Sequence, residues 1–149
     1  MFAWLLLQTD AGVAGLLLRL TLAVVIFPHG AQKVLGWFGG QGFKPTLQFF
    51  TSAGNPPVLA LLAMAAEFLG PLGLAVGLLT RVAAFGIFCV MLVAIITPHW
   101  QHGFFMNWYG NQKGEGFEYH LLAIGIALAL IIMGGGAWSL DRALSTVAP

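Results

Sequence analysis

The sequence predicts an all-α integral membrane protein: four spans bundled in one transmembrane domain over residues 1–149, with two long Gly- and aromatic-rich loops on one face. Three observations lead there. Of 149 residues, 59% are hydrophobic and only 7% charged, whereas soluble domains carry roughly 25% charged residues. Six Lys or Arg and five Asp or Glu are too few to cover a soluble domain of this length. Lipid has to cover it instead. Finally, four apolar runs approach the ~20 residues a helix needs to cross the hydrocarbon of a bilayer.

The first span covers residues 11–33, with Thr9 and Asp10 as N-cap candidates ahead of it. The second covers residues 57–79 and opens on Pro56 and Pro57, a pair suited to a helix start. Thr80 and Arg81 leave almost no loop before the third span, residues 82–98, so these two spans form a tight antiparallel hairpin. The fourth, residues 117–136, runs out into Gly134, Gly135 and Gly136. The connections "GWFGGQGFKPTLQFFTSAGNPP" and "HWQHGFFMNWYGNQKGEG" then lie on the same side of the bundle. Their aromatics suit a membrane interface, and irregular backbone at that depth survives only when buried in protein or lining a cavity. The N-terminal "MFAWLLLQTDAG" lacks a basic region and reads as retained rather than cleaved.

Composition also excludes some functions. A formal net charge of +1 provides no basic stripe for nucleic acid. With Cys89 the only cysteine, disulfides within the chain, CxxC redox chemistry and cysteine zinc sites are absent. Redox work would need a bound cofactor or a partner.

Steps of three and four along the first span collect Gly12, Gly15, Arg19, Leu22, Ile26, His29 and Lys33 on one face. The second span gives Ala60, Ala63, Glu67, Gly70, Leu74 and Gly77, a small-residue seam with one carboxylate. The third gives, less strictly, Arg81, Phe85, Phe88, Leu92, Ile95, His99 and His102, and the fourth Glu118, Leu122, Gly125, Ala129, Ile132 and Gly136. An unpaired charge in a membrane is costly, so Arg19 is expected to pair with Glu67. Pro28, Pro71 and Pro98 free the carbonyls of Val24, Glu67 and Ala94. His29 and Lys33 end span one, His99 and His102 end span three, and Glu118 with His120 begin span four. They converge on the loop-bearing mouth.

His, Lys, Gln and Arg beside aromatic walls suit a quinone entering from lipid, with donors for its carbonyl oxygens, and His29 is of the side-chain type suited to exchange the proton that quinone reduction requires. The expected cofactor-binding residues are His29, Lys33, His99 and Glu118 at the headgroup, with Arg19 and Glu67 deeper; no metal is predicted. Ala123 and Ala127 are small residues available for a homo-oligomeric contact.

The stretches "LLLRL", "PHGAQKVLGWFGG", "AAEFLG", "GLLTR", "HWQHGFF", "FEYHLL" and "GGGAWSLDRAL" together resemble the DoxX family of small bacterial membrane proteins over nearly the whole chain. The resemblance implies a four-helix inner-membrane protein with cytoplasmic termini, related to DoxD, the membrane subunit of a thiosulfate:quinone oxidoreductase. It also implies that Arg19, His29, Lys33, Glu67, Arg81, His99, Glu118 and Asp141 occupy family motif positions. Arg81 and Asp141 are expected to pair with each other away from the histidines. The resulting expectation is a quinone-linked redox subunit in the lipid bilayer, working with a soluble redox partner. The alternatives are a non-catalytic scaffold for soluble redox enzymes and, from the intramembrane Arg and Glu, a small-solute transporter.

Overall fold

A computed structural model describes residues 7–147; the expectation of a retained N-terminal segment falls largely on residues 1–6, outside that range. Among the described residues there are no strands and six helices: α1 (Val13–Val34), α2 (Phe43–Ser52), α3 (Pro57–Val76), α4 (Thr80–Ala94), α5 (Glu118–Met133) and α6 (Leu140–Val147). Past Ala94, α4 continues as a π-turn over Ile95–His99 and a 3₁₀ turn over Trp100–His102. Three helical stretches, Val13–Val34, Pro57–Val76 and Thr80–His102, are long and apolar enough to cross a membrane. The 16 residues of α5 extend ~24 Å at 1.5 Å per residue. The expected fourth span to residue 136 therefore ends early, because Gly134 turns the chain at φ 78°.

Helices α1, α3, α4 and α5 form a closed ring in which each packs on the next and α5 returns to α1. Side-chain contacts give the directions. Arg19 meets Leu74 and Lys33 meets Glu67, so α1 and α3 are antiparallel. Arg81 reaches Ile131 while His99 stacks near His120, so α4 and α5 are antiparallel as well. Both long connections thus meet at one end, as the alternation of spans predicts. The other end holds the α3–α4 turn and the segment from Gly134 to α6.

Leu22, Ala23 and Ile26 of α1, Leu74 of α3, Ala84, Ile87 and Met91 of α4, and Ala123, Ala127 and Leu130 of α5 make one buried core. The inward faces predicted for α1 and α3 agree with this. Those of α4 and α5 need correcting: Thr80, Ala84, Ile87 and Met91 face inward while Phe85 and Leu92 are exposed. Likewise His120, Ala123, Ala127 and Leu130 face inward, and Leu122 and Ile132 face outward. Arg81 and Glu118, which anchored the predicted stripes, sit at helix ends, where a long side chain does not dictate the face. In lipid a large apolar residue loses nothing by pointing outward, so small residues take the interface. For the same reason Ala123 and Ala127, expected at an oligomer contact, are used up inside the bundle.

Local signals moved less. Pro56 caps α3 and Pro57 opens it. The α3–α4 turn comes slightly earlier than expected, at Gly77 (φ 68°) and Leu79 (φ 49°), and Thr80 already belongs to α4. Helix α1 is capped at Gly12 rather than at Thr9 or Asp10. Asp10 instead accepts the Gly12 N–H in a turn just ahead of the helix.

Candidate functional site

The two ends of the ring treat polar groups differently. At the short-turn end Arg19 is 1% exposed and donates to five backbone carbonyls: Leu74 (3.0 Å), Ala75 (2.7 Å), Gly135 (3.0 Å), Ala137 (3.3 Å) and Trp138 (2.7 Å). Leu74 and Ala75 lie in the last turn of α3, whose carbonyls lack their ordinary helical donors and carry the negative end of the helix dipole. The Leu74 carbonyl also accepts the capping Gly77 N–H at 3.2 Å. The expected Arg19–Glu67 pair does not form. In the antiparallel register Arg19 lies level with Leu74 and Ala75, while Glu67 sits two turns away, roughly 11 Å along α3. Gly15 lets the 134–136 segment approach, since a Cβ there would meet Gly136 Cα at 2.8 Å.

Asp141, also 1% exposed, accepts the N–H groups of Leu79 (2.7 Å) and Thr80 (2.8 Å). These are orphan donors at the positive end of α4, where an anion belongs. Arg81 turns to the carbonyls of Gln8 and Ile131. The expected Arg81–Asp141 pair is therefore replaced by two separate attachments to backbone, although both residues do lie away from the histidines.

At the loop-bearing end Glu67, 4% exposed, forms an ion pair with Lys33. Pro71 leaves the Glu67 carbonyl without a helical donor, and Gly30 of α1 packs directly on it. A Cβ on Gly30 would overlap that carbonyl and stand 2.7 Å from Phe68 Cα. Lys33, with Gln32, Gly39, Gly40, Gln41, Thr46, Phe49 and Phe50, lines an open hollow of about 330 Å³ beneath α2.

Beside this pair a row of rings joins α1, α5 and the end of α4. Ring centroids are 6.5 Å apart for His29 and Tyr119, 5.3 Å for Tyr119 and His120, and 4.2 Å for His120 and His99. The π-turn, which contains Pro98, ends on His99; such turns recur at functional sites. His99 Nδ1 lies 2.8 Å from the Glu115 carbonyl, which can only accept, so Nδ1 carries a proton and Nε2 is the nitrogen left for exchange. Two buried atoms here have no hydrogen-bond partner: the Tyr119 hydroxyl and His120 Nδ1. Thr80 Oγ1 is the one such atom at the opposite end among the described residues. Glu67 lies within electrostatic reach of Tyr119, and His29 and His99 lie within reach of His120.

Of the six residues expected at the site, the structure brings together His29, Lys33, His99 and Glu67 at this end. Arg19 belongs to the other end, and Glu118 faces away. Its carboxylate accepts the Met106 N–H (2.9 Å) and the Trp108 indole N–H (3.2 Å), so it organises the second long loop. His29 is exposed at the rim, and His102 packs on Gly114 beside a separate hollow of about 340 Å³. Tyr119 was missed and His120 left off the site. The available signal was the run "EYH" at a helix start, with His120 two residues past Glu118 and so on the far side of the helix from the stripe built on it.

A ring of apolar helices with exposed Leu17, Val24, Leu62, Leu69, Val93, Ile96, Leu122 and Ile132, and with its buried polar groups at the two ends, defines a small helical membrane protein. The DoxX family profile matches residues 14–100, and the chain belongs to the DoxX family. It is 34% identical over 118 residues, 79% of this chain and 78% of the relative, to the Bacillus subtilis protein named "Putative oxidoreductase CatD". It is 30% identical over 137 residues, 91% of this chain and 94% of the relative, to "Inner membrane protein YqjF" of Escherichia coli. A Haemophilus influenzae protein named "Uncharacterized protein" is 30% identical over 142 residues, 93% of this chain and 88% of the relative. No solved structure matches. The chain is an inner-membrane protein. Arg19, His29, Lys33, Glu67, Arg81 and His99 fall inside the profile match, while Glu118, Tyr119, His120 and Asp141 follow it.

Proposed function

We propose that this protein is a quinone-linked redox subunit with four membrane-crossing helices, α5 being the shortest, and that the quinone headgroup sits in the hollow beneath α2. The observation that carries the reading is the Lys33–Glu67 pair at the edge of that hollow. Lys33 is held by a buried carboxylate and remains 30% exposed, so its ammonium can donate to a quinone oxygen. Gln32, Gln41 and Thr46 add neutral donors, and Phe49 and Phe50 give flat apolar walls. His29, one turn before Lys33, and His99 lie at the same end of the bundle and are the candidates for proton exchange. An oxidoreductase name on a relative agrees with this, and the electron donor would be a soluble redox partner.

The test is titration of the purified protein in mild detergent with a short-chain ubiquinone, followed by quenching of tryptophan fluorescence. Saturable binding is expected, weakened at least tenfold by Lys33→Met or Phe49→Ala and unchanged by Leu122→Ala on the lipid-facing surface. Absence of saturable binding, or equal loss in all three variants, would overturn the reading. A scaffold for soluble enzymes is the second reading, favoured by the exposed Phe105, Trp108 and Tyr109 of the second loop. It predicts partner capture that survives Lys33→Met.

A further inference from the structure

We infer that His99, His120 and Tyr119 form a proton path from the loop face of the membrane to the Glu67 carboxylate. His99 is half-buried at the mouth, with Nδ1 committed to the Glu115 carbonyl at 2.8 Å and Nε2 left to take a proton from water. The His120 ring follows at 4.2 Å between centroids and the Tyr119 ring at 5.3 Å beyond it. His120 is 93% buried by its 7% exposure, yet its Nδ1 has no partner, and neither has the Tyr119 hydroxyl. A buried polar atom left unpaired costs about 1–3 kcal/mol, and both belong to rings that lead inward from His99, with Tyr119 within electrostatic reach of the buried Glu67. A relay needs atoms that can give and take a proton, with internal water joining groups too far apart for direct contact.

The transfer moves protons only. A hydronium ion at the loop face gives its proton to His99 Nε2 and leaves as water, and Nε2 hands that proton on through His120 while Nδ1 stays on the Glu115 carbonyl. Tyr119 passes its hydroxyl proton to Glu67 and is reprotonated from His120, so both rings end unchanged and Glu67 ends as the neutral acid. The charged and titratable groups facing this line are His29 and Lys33 from α1, Glu67 from α3, His99 at the end of α4, Glu115 in the loop, and Glu118 on α5, whose carboxylate is occupied by Met106 and Trp108. Protonating Glu67 dissolves its ion pair and frees the Lys33 ammonium at the hollow. Proton arrival and headgroup binding would be coupled in this way.

The inference rests on the reading above only for what the proton serves, and its test uses no quinone. Protein in lipid nanodiscs is given a rapid pH drop while the carboxylic C=O infrared band is followed. The Glu67 band, identified by its loss in Glu67→Gln, is expected to grow at least tenfold more slowly in Tyr119→Phe and His120→Asn than in the parent, reaching the same final amplitude. His99→Gln, which keeps a donor for Glu115, is expected to slow it similarly. Equal rates in parent and variants would overturn the path, and so would a band that persists in Glu67→Gln or never appears. Thermal melts confirm that each variant is folded, and Tyr119→Phe preserves the ring packing. Loss of quinone binding with the slowed rates intact would remove only the previous reading.

Discussion

Arg19 and Lys33 stand on one face of α1, about four turns apart, and have opposite surroundings. Arg19 is enclosed and meets five carbonyls, while Lys33 meets a single carboxylate and opens on a hollow. Around Arg19 the partners are ends of secondary structure: the last turn of α3 and the bend after Gly134. Asp141 does the same for the start of α4. Charge at that end replaces the hydrogen bonds that helix termini lack. Around Lys33 the partners are side chains, and two buried polar atoms nearby have none. A buried group whose bonding is complete has no capacity left for a ligand, whereas an incomplete one keeps it. The short-turn end therefore reads as the clasp of the bundle and the loop-bearing end as its working mouth.

Substitutions can break this contrast, most severely at the clasp. Arg19→Met leaves four carbonyls without a donor, the fifth, of Leu74, keeping the Gly77 N–H. Charged-group hydrogen bonds are worth roughly 1.5–3 kcal/mol each, so the loss should exceed about 4 kcal/mol. The variant is expected to resist purification in folded form, and parental stability in a denaturant titration followed by circular dichroism would refute the clasp. Asp141→Asn keeps one acceptor but sets an amide N–H against a backbone N–H, costing about 2 kcal/mol by the same titration. Lys33→Met strands a buried carboxylate, but the ammonium is partly exposed, so the discounted cost is about 1–2 kcal/mol. Adding Glu67→Gln should restore most of that stability without restoring quinone binding. If it restores both, Lys33 is structural and the contrast fails.

The smallest effect is the sharpest test. Tyr119→Phe removes a buried hydroxyl that has no partner, so stability should stay within about 0.5 kcal/mol of the parent or rise slightly. A loss beyond about 1.5 kcal/mol would mean that the hydroxyl holds the fold together, as Arg19 does.

Much of this was legible along the chain. The apolar runs, the proline pair at Pro56 and Pro57, and the alternation of short and long connections follow from local physics, and so did the antiparallel ring with both long loops at one end. The partners of the charges were not legible. Pairing Arg19 with Glu67 assumed that an intramembrane charge seeks its opposite, yet orphaned carbonyls at the end of α3 satisfied it at a nearer register. Arg81 and Asp141 failed as a pair for the same reason. The stripes through Arg81 and Glu118 missed because residues at helix ends reach outside the packed face, which left His120, two residues past Glu118, on the far side of the predicted α5 stripe.

The sequence by itself determined that this is a helical membrane protein of the DoxX family, where its four long helices begin and end to within a few residues, and which end gathers histidines. The short helices α2 and α6, which fall where a loop and no element were expected, were not read from it. Hydrophobic length, proline and glycine act over one or two turns, and those effects can be read locally. The tertiary structure alone decided which buried polar groups are saturated and which are left free. That depends on the register between helices far apart in the chain, where a shift of two turns moves a guanidinium from a carboxylate to a helix end.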